Sequence, residues 1–170
     1  MKNAVLFSIL LAGVALAPFA DGKEARTSTA AQIDYQAFAD LTDNLADYRN
    51  GRLVSLDEFK AMARDPNTLI LDARSPAAFA QGHIRGAVNL TFTDFTAASL
   101  AEVIGDPHRR VLIYCNNNFA NDAPPVMLKR VELALNIPTF INLYGYGYRN
   151  IYELGDVVDF DDPAVEWVRG

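Results

Sequence analysis

The amino-acid sequence predicts an α/β fold, a mostly parallel central sheet flanked by helices. Three observations predict it. Short apolar runs of strand length, Leu69–Leu71 and Arg110–Tyr114 among them, alternate with segments of helical periodicity. The helical segments carry their own start and stop residues. The connections are short, with no internal repeat and no long linker, as sequential strand–helix units require.

In chain order, Lys2 precedes an apolar run from Ala4 to Ala17, followed by Pro18 and small residues. This is the layout of a secretory signal peptide, and the run is short of the ~20 residues that a spanning helix needs. Ala15-Leu16-Ala17 and Ala20-Asp21-Gly22 are the candidate cleavage sites. The expected division is a signal peptide over 1–22, an N-terminal extension with a helix over 23–50, and one domain over 51–170. The expected location is outside the cytoplasm, in the periplasm, with no membrane span after cleavage.

Phe38, Leu41, Leu45 and Tyr48 stand at helical spacing and predict a helix over Ile33–Tyr48. Ser55 and Glu58 form a capping-box pattern that opens a helix running to about Arg64, closed by Asp65-Pro66-Asn67. Leu69-Ile70-Leu71 predicts a buried strand ending in Asp72-Ala73-Arg74. Ser75-Pro76 starts a helix and Gly82 stops it. Ala87–Leu90 predicts a strand, Ala97–Ile104 a helix, and Arg110–Tyr114 a strand that runs straight into Cys115. Beyond it, Val126, Leu128, Val131 and Leu135 predict a helix over Val126–Leu135, and Phe140–Leu143 a last strand. The Tyr/Gly-rich Tyr144–Tyr148 follows; Tyr144, Tyr146 and Tyr148 read equally as a pocket wall or as a turn with aromatic packing.

Composition limits function. The chain has 170 residues, 15 Lys+Arg against 21 Asp+Glu, and a formal net charge of −6. That balance argues against nucleic-acid binding, which needs a positive footprint. Five of the six negative charges sit in Ile151–Gly170, where Glu153, Asp156, Asp159, Asp161, Asp162 and Glu166 face one base, Arg169. The spacing lacks the glycine and terminal glutamate of a calcium loop, so the reading is a solvated acidic edge. One cysteine and two histidines exclude an internal disulfide framework and argue against a structural zinc cluster.

That single cysteine lies at the C-terminal end of a strand, where open α/β sheets place their ligands. The following segment is Asn116, Asn117, Asn118, Phe119, Ala120 and Asn121. A loop curling from a strand into a helix turns main-chain N–H groups inward, and such donors lower a thiol's pKa and hold an anion at its tip. Asparagine suits such a loop because it tolerates left-handed backbone, and its amide adds uncharged donors. Cys115 is therefore the candidate nucleophile and Asn116–Asn121 the candidate substrate-binding loop. The bland reading makes Cys115 a small buried hydrophobe.

Leu69–Leu90 resembles the signature of rhodanese-like domains at Asp72, Arg74, Phe79, Gly82, His83, Ile84, Gly86 and Ala87. Val111–Cys115 looks like the strand that delivers that family's active-site cysteine, and Asn142-Leu143-Tyr144-Gly145 resembles the turn after its last strand. The similarity spans about Leu53–Gly155. It implies a three-layer rhodanese-like fold and thiosulfate sulfurtransferase-like chemistry. The thiolate takes a sulfane sulfur from a small donor such as thiosulfate and passes it from a persulfide to cyanide or a thiol, including a protein thiol. No metal or organic cofactor is needed, and a monomer suffices. Asp72, Arg74 and His83 read as structural in this setting, holding turns and the sheet edge.

The cysteine loop departs from the family in carrying neither basic residues nor glycine, so nothing in it attracts an anionic donor by charge. The interval from Cys115 to Asn142 is long, and Pro124 and Pro125 within it favour a longer loop over a longer helix. Two rivals follow. A phosphatase or arsenate reductase needs an arginine at the loop's end, where Asn121 stands unless a distant base such as Arg149 folds over. A catalytically silent domain that binds a partner or senses thiol oxidation fits the uncharged loop.

Overall fold

A computed structural model describes residues 31–170. Its elements are α1 (Tyr35–Asn50), β1 (Leu53–Val54), α2 (Leu56–Ala63), β2 (Thr68–Asp72), α3 (Pro76–Gln81), β3 (Gly82–Ile84), β4 (Ala87–Asn89), α4 (Ala97–Ile104), β5 (Arg110–Tyr114), α5 (Asn136–Gly145), β6 (Ile151–Leu154) and β7 (Trp167–Arg169). The signal peptide expected over 1–22 lies outside the described residues. Among the described residues, no helix is long and apolar enough to cross a membrane.

The central sheet has five strands in the order β1-β6-β5-β2-β4, and every pairing in it is parallel. A parallel sheet is buried on both faces, and β5 shows how the sequence arranges this. Val111 and Ile113 point into one core with Leu69, Leu71, Leu100, Phe140 and Leu143. Leu112 and Tyr114 point into the other with Phe59, Ile70, Phe119 and Val126. The two-residue period of a strand divides the run between two layers. Helices α4 and α5 cover the first face, with α1 packed on α5. Helix α2 covers the second, together with the small antiparallel pair β3–β7.

Local chemistry sets the ends of the helices. Ser55 Oγ accepts from the Glu58 N–H at 3.3 Å while Glu58 accepts from the Ser55 N–H at 2.9 Å, so the expected capping box opens α2. Ser75 caps α3 with Pro76 at its first position. Gly105 closes α4 at φ 77°, a conformation that favours glycine. A Cβ on Gly82 would come within 2.4 Å of Trp167, so glycine there lets β3 pair with β7.

Two expected elements are corrected. Val126–Leu135 is not a helix: it runs without regular structure apart from a 3-10 turn over Val131–Leu133. The following helix starts only at Asn136, so the extra length is loop, as the two prolines suggested. Phe140–Leu143 is not a strand but the middle of α5, and Asn142-Leu143-Tyr144-Gly145 is the end of that helix rather than a turn after a strand. The fifth strand of the sheet is instead Ile151–Leu154.

A buried ion pair ties β2 to its surroundings. Asp72 is fully buried and is held by Arg74 through Nε at 3.0 Å and a terminal nitrogen at 2.6 Å. Tyr114 donates to the same carboxylate at 2.6 Å, and Arg74 also donates to the Gly82 carbonyl at 2.7 Å. Burial works against the Arg74 charge, but its bonds to Asp72 outweigh this and hold the guanidinium more firmly protonated than usual. Burial, reinforced by the Asp72 charge, pushes the Tyr114 hydroxyl well up. Asn89 adds amide bonds to the Asp72 and Arg74 carbonyls, both at 2.9 Å. His83 stacks on Phe79 with ring centres 3.9 Å apart, and its Nδ1 lies 2.9 Å from the Phe79 carbonyl oxygen. The three polar residues of the first motif are therefore structural.

Removing one member of a buried pair leaves the other charge uncompensated, at a cost of about 3–5 kcal/mol. Asp72→Ala is expected to lower the unfolding free energy by at least about 3 kcal/mol in urea titration. A loss below about 1 kcal/mol would contradict this role for the pair.

Candidate active site

Cys115 follows β5 directly and is only 2% exposed. The chain leaves the strand in a 3-10 turn over Asn116–Asn118, closed by the Asn118 N–H donating to the Cys115 carbonyl at 3.1 Å. Phe119 then makes a parallel bridge with Val158. From there the chain makes a long excursion and returns at Leu135, the residue that precedes α5. The return places the start of α5 against the cysteine, with Ala134 and Asn136 lining one cleft with Cys115 and Asn117, and the main-chain N–H groups of Asn136, Asn117 and Leu135 act as donors that favour the thiolate. Two of these three donors, Leu135 and Asn136, lie outside the loop that the sequence pointed to.

The asparagine side chains have other work. Asn116 donates to the Met127 carbonyl at 2.7 Å. Asn117 grips the main chain of Lys129 twice, donating to its carbonyl at 2.7 Å and accepting from its N–H at 3.2 Å. Asn121 donates to Asp159 at 2.7 Å and accepts from the Phe160 N–H at 3.1 Å. Asn118 is buried and accepts from the Cys115 N–H at 2.9 Å and from the Asn136 amide at 3.1 Å. It donates to the Leu154 carbonyl at 2.7 Å and the Asp156 carbonyl at 3.1 Å. The amides expected to serve as ligand donors thus pin the excursion and the ends of β6 and α5. Phe119 is a core residue, edge-on to Trp167 at 4.9 Å, and Ala120 is exposed with its N–H bound to Val158.

A cleft of about 200 Å³ opens beside Cys115. Its polar wall contains Glu153 and Arg49, neither of which the sequence nominated. Glu153 is buried within β6 and accepts from Arg49 at 2.8 and 2.6 Å and from the Asn136 amide at 3.1 Å. This corrects the reading of Ile151–Gly170 as wholly a solvated edge. An acid between the apolar Ile151 and Leu154 was the available signal; α1 supplies Arg49 without any motif.

These neighbours fix the acidity of the thiol. Burial pushes Cys115 up; the N–H groups of Asn136 and Asn117 pull it down, the Glu153 charge pushes it up again, and the Leu135 N–H pulls it down last. The sum lies above the ordinary thiol value, the reverse of the lowering expected from loop donors alone.

Tyr144, Tyr146 and Tyr148 do not wall this cleft. Tyr148 is buried in the core, Tyr144 packs edge-on against Tyr48, and Tyr146 donates to the Phe95 carbonyl at 3.3 Å. Arg149 lies over the Tyr144 ring at 3.5 Å rather than over the cysteine loop. Asn121, at the position where an oxyanion-clamping arginine would stand, bonds away from the sulfur. The phosphatase reading therefore has no clamp. Among the described residues, no group of three or more His, Cys, Asp or Glu is placed to hold a metal ion.

Two expectations follow. Asn118→Ala strands the Cys115 N–H and the buried Leu154 carbonyl and frees the part-buried Asp156 carbonyl, so urea unfolding should show a loss of about 2–3 kcal/mol; a change within about 0.5 kcal/mol contradicts the network. The rate of Cys115 alkylation by iodoacetamide should rise with pH and reach half-maximum above the value of an unfolded peptide containing the same cysteine. A midpoint below that of the peptide contradicts the balance of burial and N–H donors described above.

A family model described as a rhodanese-like domain matches residues 55–155, more than half of the chain. The solved rhodanese-like domain of the Alr3790 protein from Anabaena sp. is similar at 18% identity, covering 70% of this chain and 80% of that one, with a TM-score of 0.48. A rhodanese with anions from E. coli is similar at 22% identity over 61% of this chain and 99% of that one, with a TM-score of 0.41. The BH2092 protein from Bacillus halodurans is similar at 11% identity over 68% of this chain and 74% of that one, with a TM-score of 0.47.

Proposed function

The chain belongs to the rhodanese-like domain family, and on that premise we propose that Cys115 carries sulfane sulfur as a persulfide and passes it to a thiol or to cyanide. The observation that carries the reading is a cysteine at the end of the central strand that shares one cleft with the Asn116–Asn118 turn and the start of α5, whose main-chain N–H groups favour its thiolate. Such donors favour negative charge on sulfur at the start of a helix.

The reaction is a double displacement. The Cys115 thiolate attacks the sulfane sulfur of a donor; a new S–S bond forms, the donor's own bond to that sulfur breaks, and its electron pair leaves with the departing group. The outer sulfur of the persulfide then rests as an anion against the three N–H groups. A second nucleophile attacks that outer sulfur, the S–S bond breaks, and Cys115 returns as thiolate. The sulfur moves without net oxidation, so neither step requires a redox cofactor. Having no second cysteine in the chain protects the intermediate, because a neighbouring thiol would convert it to a disulfide.

One observation favours a second reading, a catalytically silent rhodanese-fold domain that binds a partner or senses thiol oxidation. The thiol is buried and its ionisation is held above the ordinary range. Intact-mass measurement separates the two. Incubation with a sulfane donor should add one sulfur atom, removable by cyanide and absent in Cys115→Ser. If no donor among thiosulfate, polysulfide and organic persulfide loads the wild type, the silent domain becomes the account.

We further propose that the protein works as an exported monomer in the periplasm, after removal of Met1–Gly22. The layout of Lys2, the apolar run and the small-residue boundary supports this. The chain recovered from the periplasmic fraction should begin between Pro18 and Arg26. An intact Met1 there refutes cleavage.

A further inference from the structure

A second cleft, of about 180 Å³, lies at the opposite end of the sheet from Cys115. Thr68 at the start of β2 and Gly86 just before β4 line it, whereas Cys115 follows the far end of β5, and these strands run parallel. Its other walls come from α2 and from the 3-10 turn Pro163–Val165 that leads into β7. The floor is apolar, with Phe59, Ile70, Ile84 and Val165 all buried. Three cations, Lys60, Arg64 and Arg85, stand around it with one acid, Glu166.

This local surplus of positive charge is set in a chain of net charge −6, and the one carboxylate neutralises little of it. Glu166 lies 3.4 Å from Lys60 Nζ and 3.8 Å from Arg85 Nε, and its side chain is half exposed. Both contacts are longer than an ordinary charge-assisted hydrogen bond, and exposed pairs of this kind are weak. Arg64 makes no ion pair among the described residues. Glu166 shows the chemistry the cleft accepts: a carboxylate shared by Lys60 and Arg85, here supplied by the chain itself.

We propose that this cleft binds a small organic carboxylate, its apolar body against Ile70, Ile84 and Val165 and its charged end between Lys60 and Arg85. An apolar floor with a few convergent polar groups is the ordinary build of a small-molecule site. The Arg85 guanidinium is a planar fork suited to a carboxylate. Ligand and Glu166 carry like charge and share the same two cations, so they compete for them. Cys115 takes no part, so the assignment stands whether or not the cysteine carries sulfur.

The test is titration of the protein with phenylacetate, followed by amide NMR. Saturable shifts at Ile84, Arg85, Val165 and Glu166 are expected, with a dissociation constant of about 1 mM or below. Phenylacetamide keeps the ring and loses the charge; acetate keeps the charge and loses the ring. Each should bind at least about threefold more weakly than phenylacetate. Arg85→Gln should weaken phenylacetate binding about threefold, and Glu166→Gln should tighten it by about the same factor. The two side chains are 70% and 49% exposed, so neither substitution disturbs the core. Shifts that do not saturate or that lie elsewhere, equal binding of either analogue, or an affinity that neither variant changes would overturn the proposal.

Discussion

Everything at the candidate site depends on one buried amide. The Asn118 side chain accepts from the Cys115 N–H and the Asn136 amide, and donates to the Leu154 and Asp156 carbonyls. It therefore knots three segments distant in sequence: the end of β5, the start of α5 and the end of β6. A buried polar network of this kind is rigid when fully satisfied and costly when one member is lost. The long excursion between Phe119 and Leu135 can wander because both of its ends are tied beside Cys115. Asn116 and Asn117 add clips along its path.

The knot also sets the electrostatics. By bringing Asn136 to the sulfur it delivers the N–H groups at the start of α5, and by fixing β6 it delivers Glu153. Donors and carboxylate act in opposite directions on the thiol, and burial decides the balance in favour of the neutral form. Persulfides ionise more readily than thiols, so in the proposed reaction the same donors would serve a loaded sulfur better than the empty one. The site is better suited to holding a sulfur anion than to generating a thiolate.

Much of the fold was legible because it rests on local rules. The capping box at Ser55, the Ser75-Pro76 start, the Gly82 stop and the apolar run into Cys115 each report on their own neighbourhood, and the structure matches them. Phe140–Leu143 is a short buried apolar run, and such a run does not distinguish strand from helix. Its helix begins at Asn136 with Pro138 in the first turn, where proline is tolerated. Val126–Leu135 has apolar residues without helical bonding, its main chain being held instead by asparagines eleven and twelve positions upstream. Such long-range side-chain bonds leave no periodic trace. The same holds for Arg49 and Glu153, a pair whose members lie 104 residues apart. The cysteine was found from its position at the end of a strand, and its surroundings only from the fold.

In the proposed reaction, sulfur is held against three main-chain donors. A crystal structure of the wild-type protein after incubation with an organic persulfide measures this directly. The account predicts one additional sulfur bonded to Cys115 Sγ, within hydrogen-bond distance of the Asn117, Leu135 and Asn136 nitrogens. An added sulfur pointing away from those nitrogens, or an unmodified Cys115 in protein that intact mass shows exposed to excess donor, would contradict it.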